Sequence, residues 1–468
     1  MKISFLSILP FLLFTPAMTQ AQSDPKTVDA IVEEGKNHSK VMQHLDYLTH
    51  KIGHRLTASP QLDKAYEWTQ KKFKEFGCKN VHLEQWGEYP VGFDRGKRQI
   101  ARMVSPDVMN FEFTTSSWTP GTKGPLRGKA VLEPTTKEEY EKVKDQLKGA
   151  WIISTRNSRA PKSEVSDLIL ESGIAGTVVG SNSDLTITGG NYQISMEKLP
   201  TAIRATVRKQ DMAAIRERMD AGTSVELEFD MDNKFIAGPR KNYNVVAEIP
   251  GSEKPDEVVV ISGHLDSWDG PGSQGAQDNG TGTCVTLEAA RILGRVKAQP
   301  KRTIRFILWT GEEQGLFGSF DYVKKHAEEL SKISAVFVDD GGTGYEGGVA
   351  CIAEMKPYFE EAFAPAMKAF PELPMSIRVA NKLPRFGGSD HFPFLPKGVP
   401  AFFWDEGGKF DPNNTGYTHV HHTQYDRFET AIPEYLVQSA TNSASVAYIL
   451  GCAPEQLPRE PKVVAPAN

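Results

Sequence analysis

Apolar positions along this chain change their period several times, and each change marks an element. Val28, Ile31, Val32, Met42, Leu45 and Leu48 recur at helical spacing and predict a helix over 27–50. A second helix is predicted in LDKAYEWTQKKFKEFG, where Ala65, Trp68, Phe73 and Phe76 share a face and Gly77 supplies the stop. The strand-like KNVHLEQW follows. From about 125 the texture shifts to short strands (GKAVLEP, GAWIIST, AGTVVGS, SVELEFD) with helical patches near 136–147, 164–172 and 209–220. Beyond NKFIAGPRKNYN, where Gly and Pro interrupt the pattern, come VVAEIPG, DEVVVISGHLD, a helix from Thr283 to Leu293, TIRFILW, a helix near 316–329, SAVFVDD and VPAFFWDEGG.

Strands alternating with helices predict an α/β protein with a mostly parallel, mixed sheet in three layers. The shift of texture predicts a compact α/β insert over 121–236. It divides the main body into an N-terminal part, 22–120, and a larger part, 237–453. At 468 residues the chain exceeds the size at which one core stops growing, in keeping with two units. The Pro-rich stretch 454–468 is expected to be a disordered tail.

Composition narrows the class. With 39% hydrophobic residues, 24% charged and a net charge of −5, the chain is ordinary for a globular protein and offers no basic field for nucleic acid. Residues 1–21 stand apart: one Lys, an apolar run from Ile3 to Phe14, then small and polar residues up to Ala21. That order predicts a cleavable signal peptide and a secreted or periplasmic product with no membrane insertion after cleavage. The run is too short, and too interrupted by Pro10 and Pro16, for a spanning helix. Cys78, Cys284, Cys351 and Cys452 form no close pair, and buried free thiols suit a large core as well as disulfides do.

The chemistry concentrates at strand ends. VVVISGHLDSWDG places His264 and Asp266 there, GAQDNGTGT places Asp278, ILWTGEEQG places Glu312 and Glu313, AVFVDDGGTG places Asp339 and Asp340, and YTHVHHTQYD places His419, His421, His422 and Asp426. A lone Glu-Glu pair after a strand is usually a solvated loop. Five ligand-bearing turns in succession, at the sheet edge where α/β proteins bind their ligands, point instead to a cation site. A mixed His and carboxylate set suits zinc, with cobalt or manganese as substitutes. Gly342, Gly344 and Gly347 spell GxGxxG, but the apolar, strand-like GVACIAEM follows where a nucleotide site needs a helix, so this reads as a turn.

These pieces (GHLDSWD, QDNGTG, WTGEEQG, VDDGGT, GGSDHFPF and HHTQYD, in order across 240–430) resemble the co-catalytic zinc exopeptidases, the family of secreted bacterial aminopeptidases, glutamate carboxypeptidase II and carboxypeptidase Q. HLDSWD most resembles the carboxypeptidase Q type. The stretch KIGHRLTASPQLDKAYEWTQKKFKEFGCKNVHLEQW resembles the family too, and the insert resembles a protease-associated domain.

The resemblance implies two zinc ions per chain. His264 and Asp340 would hold one, Glu313 and His422 the other, and Asp278 would bridge them. Glu312 would be the general base that activates a metal-bridging water, and Asp266 would support His264. Asp339 is the alternative to Asp340, but the GGT after Asp340 fits the family pattern. The spacing to Asp426 selects His422 over its neighbours, which read as exposed loop histidines. Asp390 and His391 are candidates for lining the site, and Arg378 and Arg385 for binding a terminal carboxylate. The Asp278–Asn279 bond is expected to be cis. Where a tyrosine stabilises the oxyanion in the aminopeptidases, this chain has Phe386 and two glycines.

The expected function is an aminopeptidase or dipeptidase acting on short peptides, with the insert narrowing access, and the resemblance extends to proteins that dimerise. Glutaminyl cyclase-like acyl transfer and a non-catalytic receptor-like ectodomain are the alternatives. The first suits a single metal and the second loses ligands, whereas all five ligands stand here.

Overall fold

The computed structural model describes residues 23–154, 163–385 and 388–460. The expected signal peptide, the end of the tail and Phe386 lie outside the described residues. No helix among them is long and apolar enough to cross a membrane.

A six-stranded mixed sheet forms the centre. Lys254–His264, Arg302–Trp309, Ile333–Val338 and Ala401–Phe403 run parallel, and Lys234–Ile249 and Lys79–Asp94 add an antiparallel flank next to Arg302–Trp309. Ile333–Val338 is buried throughout, as a strand covered on both faces must be. Helices Pro25–His38, Pro60–Glu75, Thr281–Arg295, Lys356–Ala369 and Pro433–Cys452 contribute to the core around that sheet. VPAFFWDEGG splits: Ala401–Phe403 joins the central sheet and Asp405–Gly407 pairs with Tyr345–Cys351 in a small sheet. That second strand is where GxGxxG leads, so no helix follows the glycines.

The helix expected over 27–50 breaks. Pro25–His38 ends at Ser39, and Val41–Asp46 and a wider turn, Tyr47–Ile52, follow. The cause is Glu288, fully buried on a facing helix, whose carboxylate accepts from Ser39 Oγ (3.1 Å) and Lys40 N (2.8 Å). A buried carboxylate needs donors, and a helix interior has no free N–H groups to give. Pro60–Glu75 matches expectation: Ser59 caps it by accepting from Leu62 N, and Gly77 follows in the left-handed region at φ 88°.

The second unit is an eight-stranded sheet with its own core around Trp151, Phe229, Met103 and Phe113. It takes in Gln99–Ser105, so it begins well before 121, because Ala101, Met103, Phe111 and Phe113 turn inward onto Phe229 and Trp151. Lys234–Ile249 is one continuous strand through Gly238–Pro239, where the Gly-Pro pair suggested a boundary. The register slips there opposite Pro90, and a slipped position is one of the few that a proline can occupy in a sheet. Paired with Lys79–Asp94, it forms a long ribbon that carries the chain out to the second sheet and back.

The four cysteines are buried and unpaired. The described part of the C-terminal segment is not a loose tail. Leu457 is buried, its N–H donates to Ser334 Oγ (3.0 Å), and Arg459 donates to the carbonyls of Gly398, Leu330, Ser331 and Ile333. The prolines signalled disorder, but carbonyls left free at strand and turn ends offered the segment partners. Leu457→Ala is expected to cost about 2–4 kcal/mol in chemical denaturation. Wild-type stability in that variant would show that the segment is not docked.

Candidate metal centre

Strand geometry delivers the site residues to one edge. His264 ends its strand, Glu312 and Glu313 lie in the turn after Arg302–Trp309, and Asp339 and Asp340 follow Ile333–Val338. Asp278 sits in the irregular turn 276–280 ahead of Thr281–Arg295, and its bond to Asn279 is cis. Asn279 ties that turn to the next strand end, accepting from Gly282 N and donating to Asp339 O (2.7 Å). Gly282 cannot be replaced cheaply here, since a Cβ would lie 2.0 Å from Asp339 O.

Five of the predicted side chains meet. His264 Nε2 is 2.9 Å from Asp340 Oδ1 and 3.2 Å from Asp278 Oδ1, while His422 Nε2 is 2.9 Å from Asp278 Oδ2 and 3.1 Å from Glu313 Oε2. The two oxygens of Asp278 thus face different histidines. Asp340, not Asp339, meets His264; the buried Asp339 carboxyl is pushed up to about 7 by burial and then by Asp340. Glu312 stands back, 4.0 Å from His264 Nε2.

The surroundings fix these groups. His264 Nδ1 donates to Asp266 O (3.0 Å), which leaves Nε2 for the site. The Asp266 carboxylate, fully buried, accepts from Thr57 Oγ1 (3.2 Å) and from the N–H groups of both Glu312 and Glu313 (3.4 Å each). Arg55 was not singled out by sequence, yet it is fully buried and binds Leu265 O (2.6 Å), Gly275 O (2.8 Å), Gln274 O and Gly53 O. It staples the His264 turn to the Asp278 turn. Asp426 accepts from Gln277 N beside Asp278 (2.5 Å).

Asp390 and His391 are buried and absent from the residues that line the cleft. Burial pushes Asp390 up to about 8, with Ser319 Oγ donating to it, and holds His391 down at about 4. Arg378 is paired with Asp405 and Arg385 with Glu460, and neither lines the cleft.

Electrostatics shows what the cluster lacks. Burial pushes Glu312 well above the usual carboxylate range, and it pushes Glu313 up to about 7 with help from Asp278. Burial works against charge on His422, but hydrogen bonds to Asp278 and Glu313 hold it up at about 11. Burial likewise opposes charge on His264, and Asp340 and Glu312 raise it well above its ordinary value. Protons on two histidines therefore stand where positive charge is needed. The sets His264–Asp278–Asp340 and Asp278–His421–His422 each bring donor atoms within 4.8 Å of one another, as cation ligands must be. The donors are imidazole and carboxylate, the chemistry zinc takes, so the residues fit the metal.

The site floors a cleft of about 690 Å³. Tyr192, from the second unit, and Tyr417 line its wall and escaped the sequence reading, and His421 lines it too. His421, expected as an exposed loop histidine, is half-buried, stacks between Tyr417 and His422, and lies 3.5 Å from Asp278 Oδ2. Tyr192 follows two glycines and carries no motif, so only the packing of the two units reveals it.

Residues 244–447 match peptidase family M28. The matched region holds all five residues that meet and Glu312. Carboxypeptidase Q from Mus musculus is 28% identical over 445 residues, covering 93% of this chain and 90% of its own. Aminopeptidase YwaD from Bacillus subtilis is 30% identical over 250 residues, 52% of this chain and 50% of its own. Among solved structures, an M28 peptidase precursor from Shewanella amazonensis superposes with a TM-score of 0.65 at 24% identity, covering 93% of this chain and 99% of its own. A zinc aminopeptidase from Bacillus subtilis gives 0.53 at 19% identity, covering 87% and 93%. The chain therefore has the M28 fold, and the likeness inferred from its motifs holds.

Asp266 generates a prediction. Asp266→Asn would turn an amide N–H₂ toward one of the two backbone N–H groups of the Glu312–Glu313 turn. That turn loses part of its support, while the Asp266 carbonyl that accepts from His264 Nδ1 stays in place. Metal affinity, measured by competition with a chelator, is expected to fall about 10–100-fold. Unchanged affinity would show that Asp266 does not orient the site.

Proposed function

We propose that this protein is a two-zinc exopeptidase that releases residues from the amino end of short peptides, dipeptides included. The observation that carries the reading is the shared Asp278, flanked by His264 on one side and His422 on the other. His264 and Asp340 would hold one cation, Glu313 and His422 the second, and Asp278 would serve both. Divalent cations bound there would lower the pKa of the attacking water and polarise the scissile carbonyl.

The remaining work falls to side chains. Glu312 lines the cleft, keeps clear of the close His–carboxylate pairs and has a carboxyl whose pKa burial raises, which suits a group that both takes and gives a proton. It takes the proton from the attacking water on a carboxylate oxygen and returns it to the departing amine nitrogen. Asp266 holds the Glu312 backbone in place meanwhile. Tyr417 and His421 also line the cleft and offer O–H and N–H groups, and burial raises the pKa of the Tyr417 phenol.

The choice of end follows from charge. Four carboxylates line the cleft, Asp278, Glu312, Glu313 and Asp340, and no Lys or Arg does so among the described residues. Two divalent cations cancel those four charges and leave nothing positive for a terminal carboxylate. A terminal amine can bind as the neutral base and then needs no charged partner, a form open to it because its pKa lies near neutrality. The names of the relatives point both ways, aminopeptidase and carboxypeptidase; the wall of this cleft favours the first. Tyr192 reaches the cleft from the second unit, which supports a covered site that admits a chain end and excludes folded protein. The leader expected in residues 1–21 would place this activity in the periplasm or outside the cell.

Glu312→Gln is expected to retain both zinc ions and lose at least about a hundredfold in kcat. Loss of zinc instead would exchange the roles of Glu312 and Glu313. On a panel of short peptides, acetylation of the amino end should abolish turnover and amidation of the carboxyl end should leave it. The reverse pattern would assign the carboxyl end, and efficient cutting within a peptide blocked at both ends would overturn the exopeptidase reading.

A further inference from the structure

The two halves of the metal centre are held differently. His264 and Asp340 are fixed from within the unit of the central sheet, Arg55 included. Asp266 O takes the His264 Nδ1 proton, Thr283 Oγ1 donates to His264 O, and the chain entering Asp340 is held by Asp339 N to Ser262 O and Asn279 Nδ2 to Asp339 O.

His422 and Glu313 are reached from the other sheet. His422 has φ 53°, a left-handed conformation that a non-glycine residue keeps only where its surroundings enforce it. The enforcement comes from residues 184–188 of the second unit. Thr188 N donates to His422 O (2.8 Å), and Ile187 pairs with Thr423 as an antiparallel bridge. Gln424, 2% exposed, accepts from Thr186 N (2.8 Å) and donates to Asp184 O (2.9 Å) and Glu112 Oε2 (3.2 Å). Tyr425 also donates to Glu112 (3.3 Å).

Glu313 is held one step further off. Its Oε1 accepts from Trp268 N (2.9 Å). Trp268 packs with Trp118 and Ile194, and Gly190 lies so near that a Cβ there would meet Trp268, Ser117 and Trp118 within 2.9 Å. The next residue, Asp269, is buried and accepts from Arg95 (3.0 Å) and Ser117.

We propose that the second sheet is a constituent of the metal centre. It positions Glu313 and His422, so the affinity for one of the two cations depends on its docking while the affinity for the other does not. Gln424 is the positioning residue at the heart of the contact. This inference rests on the two-cation reading above and goes beyond a covering role for the insert.

The test is a zinc titration of metal-free protein against a chromophoric chelator, which reads each equivalent without recourse to activity. The variants are Gln424→Ala, Gly190→Ala and Glu112→Ala. Glu112 is only partly buried, with its side chain 41% exposed, so its variant should fold even if the buried changes do not. Circular dichroism and thermal unfolding confirm folding in each case. Wild-type protein is expected to take up two equivalents. In the folded variants the first should bind within about threefold of wild type and the second at least about tenfold more weakly, the scale on which supporting contacts act. Gln424→Ala combined with Glu112→Ala should add little to Gln424→Ala alone, since both break one contact. Two equivalents bound as in wild type, or both weakened alike, would overturn the proposal. A wild-type protein that binds only one equivalent would instead overturn the two-cation reading, and this inference with it.

Discussion

Crowding of negative charge at one sheet edge is the constraint around which the molecule is arranged. Asp278, Glu312, Glu313 and Asp340 converge beside the imidazoles of His264, His421 and His422, in a place where burial already disfavours ions. Such a cluster would fly apart if its backbones could move. Each member is therefore seated on an element that cannot: a strand end inside a buried parallel sheet, or a turn tied by a buried side chain. Arg55 and Asp266 are the clearest of these ties, one binding carbonyls of two turns and the other binding N–H groups of a third.

The central sheet explains why so much of the site was legible in the sequence. Parallel strands place their carboxyl ends along one edge, so any residue just after an apolar run is delivered there regardless of detail. His264, Glu312, Glu313, Asp339 and Asp340 became candidates by that rule alone, while Asp278, in a turn before a helix, and the division of roles among them came from the resemblance to the exopeptidase motifs. His422 needed the spacing to Asp426 as well, because it leaves a loop and not a strand.

What sequence withheld depends on long-range contact. Arg55 lies in a stretch that resembles the family without assigning it a role, and its partners other than Gly53 are carbonyls more than two hundred residues away. The break at Ser39 is set by Glu288, also distant, against a clean helical period. The early start of the second sheet was hidden because Arg102 interrupts the middle of QIARMVS and leaves little apolar run. The proline-rich end misled for a different reason: proline forbids regular structure, but it does not forbid docking.

The ribbon of Lys79–Asp94 and Lys234–Ile249 has a topological consequence. Asp94 and Lys234 are partners in register, so the whole second sheet leaves and re-enters the chain through neighbouring Cα positions. A two-residue hairpin turn could close that gap and leave the central sheet uninterrupted. The fold is thus modular along a single seam: units of unlike size could be exchanged there in the course of descent with no rearrangement of the six strands beneath, each exchange giving the same floor a different wall.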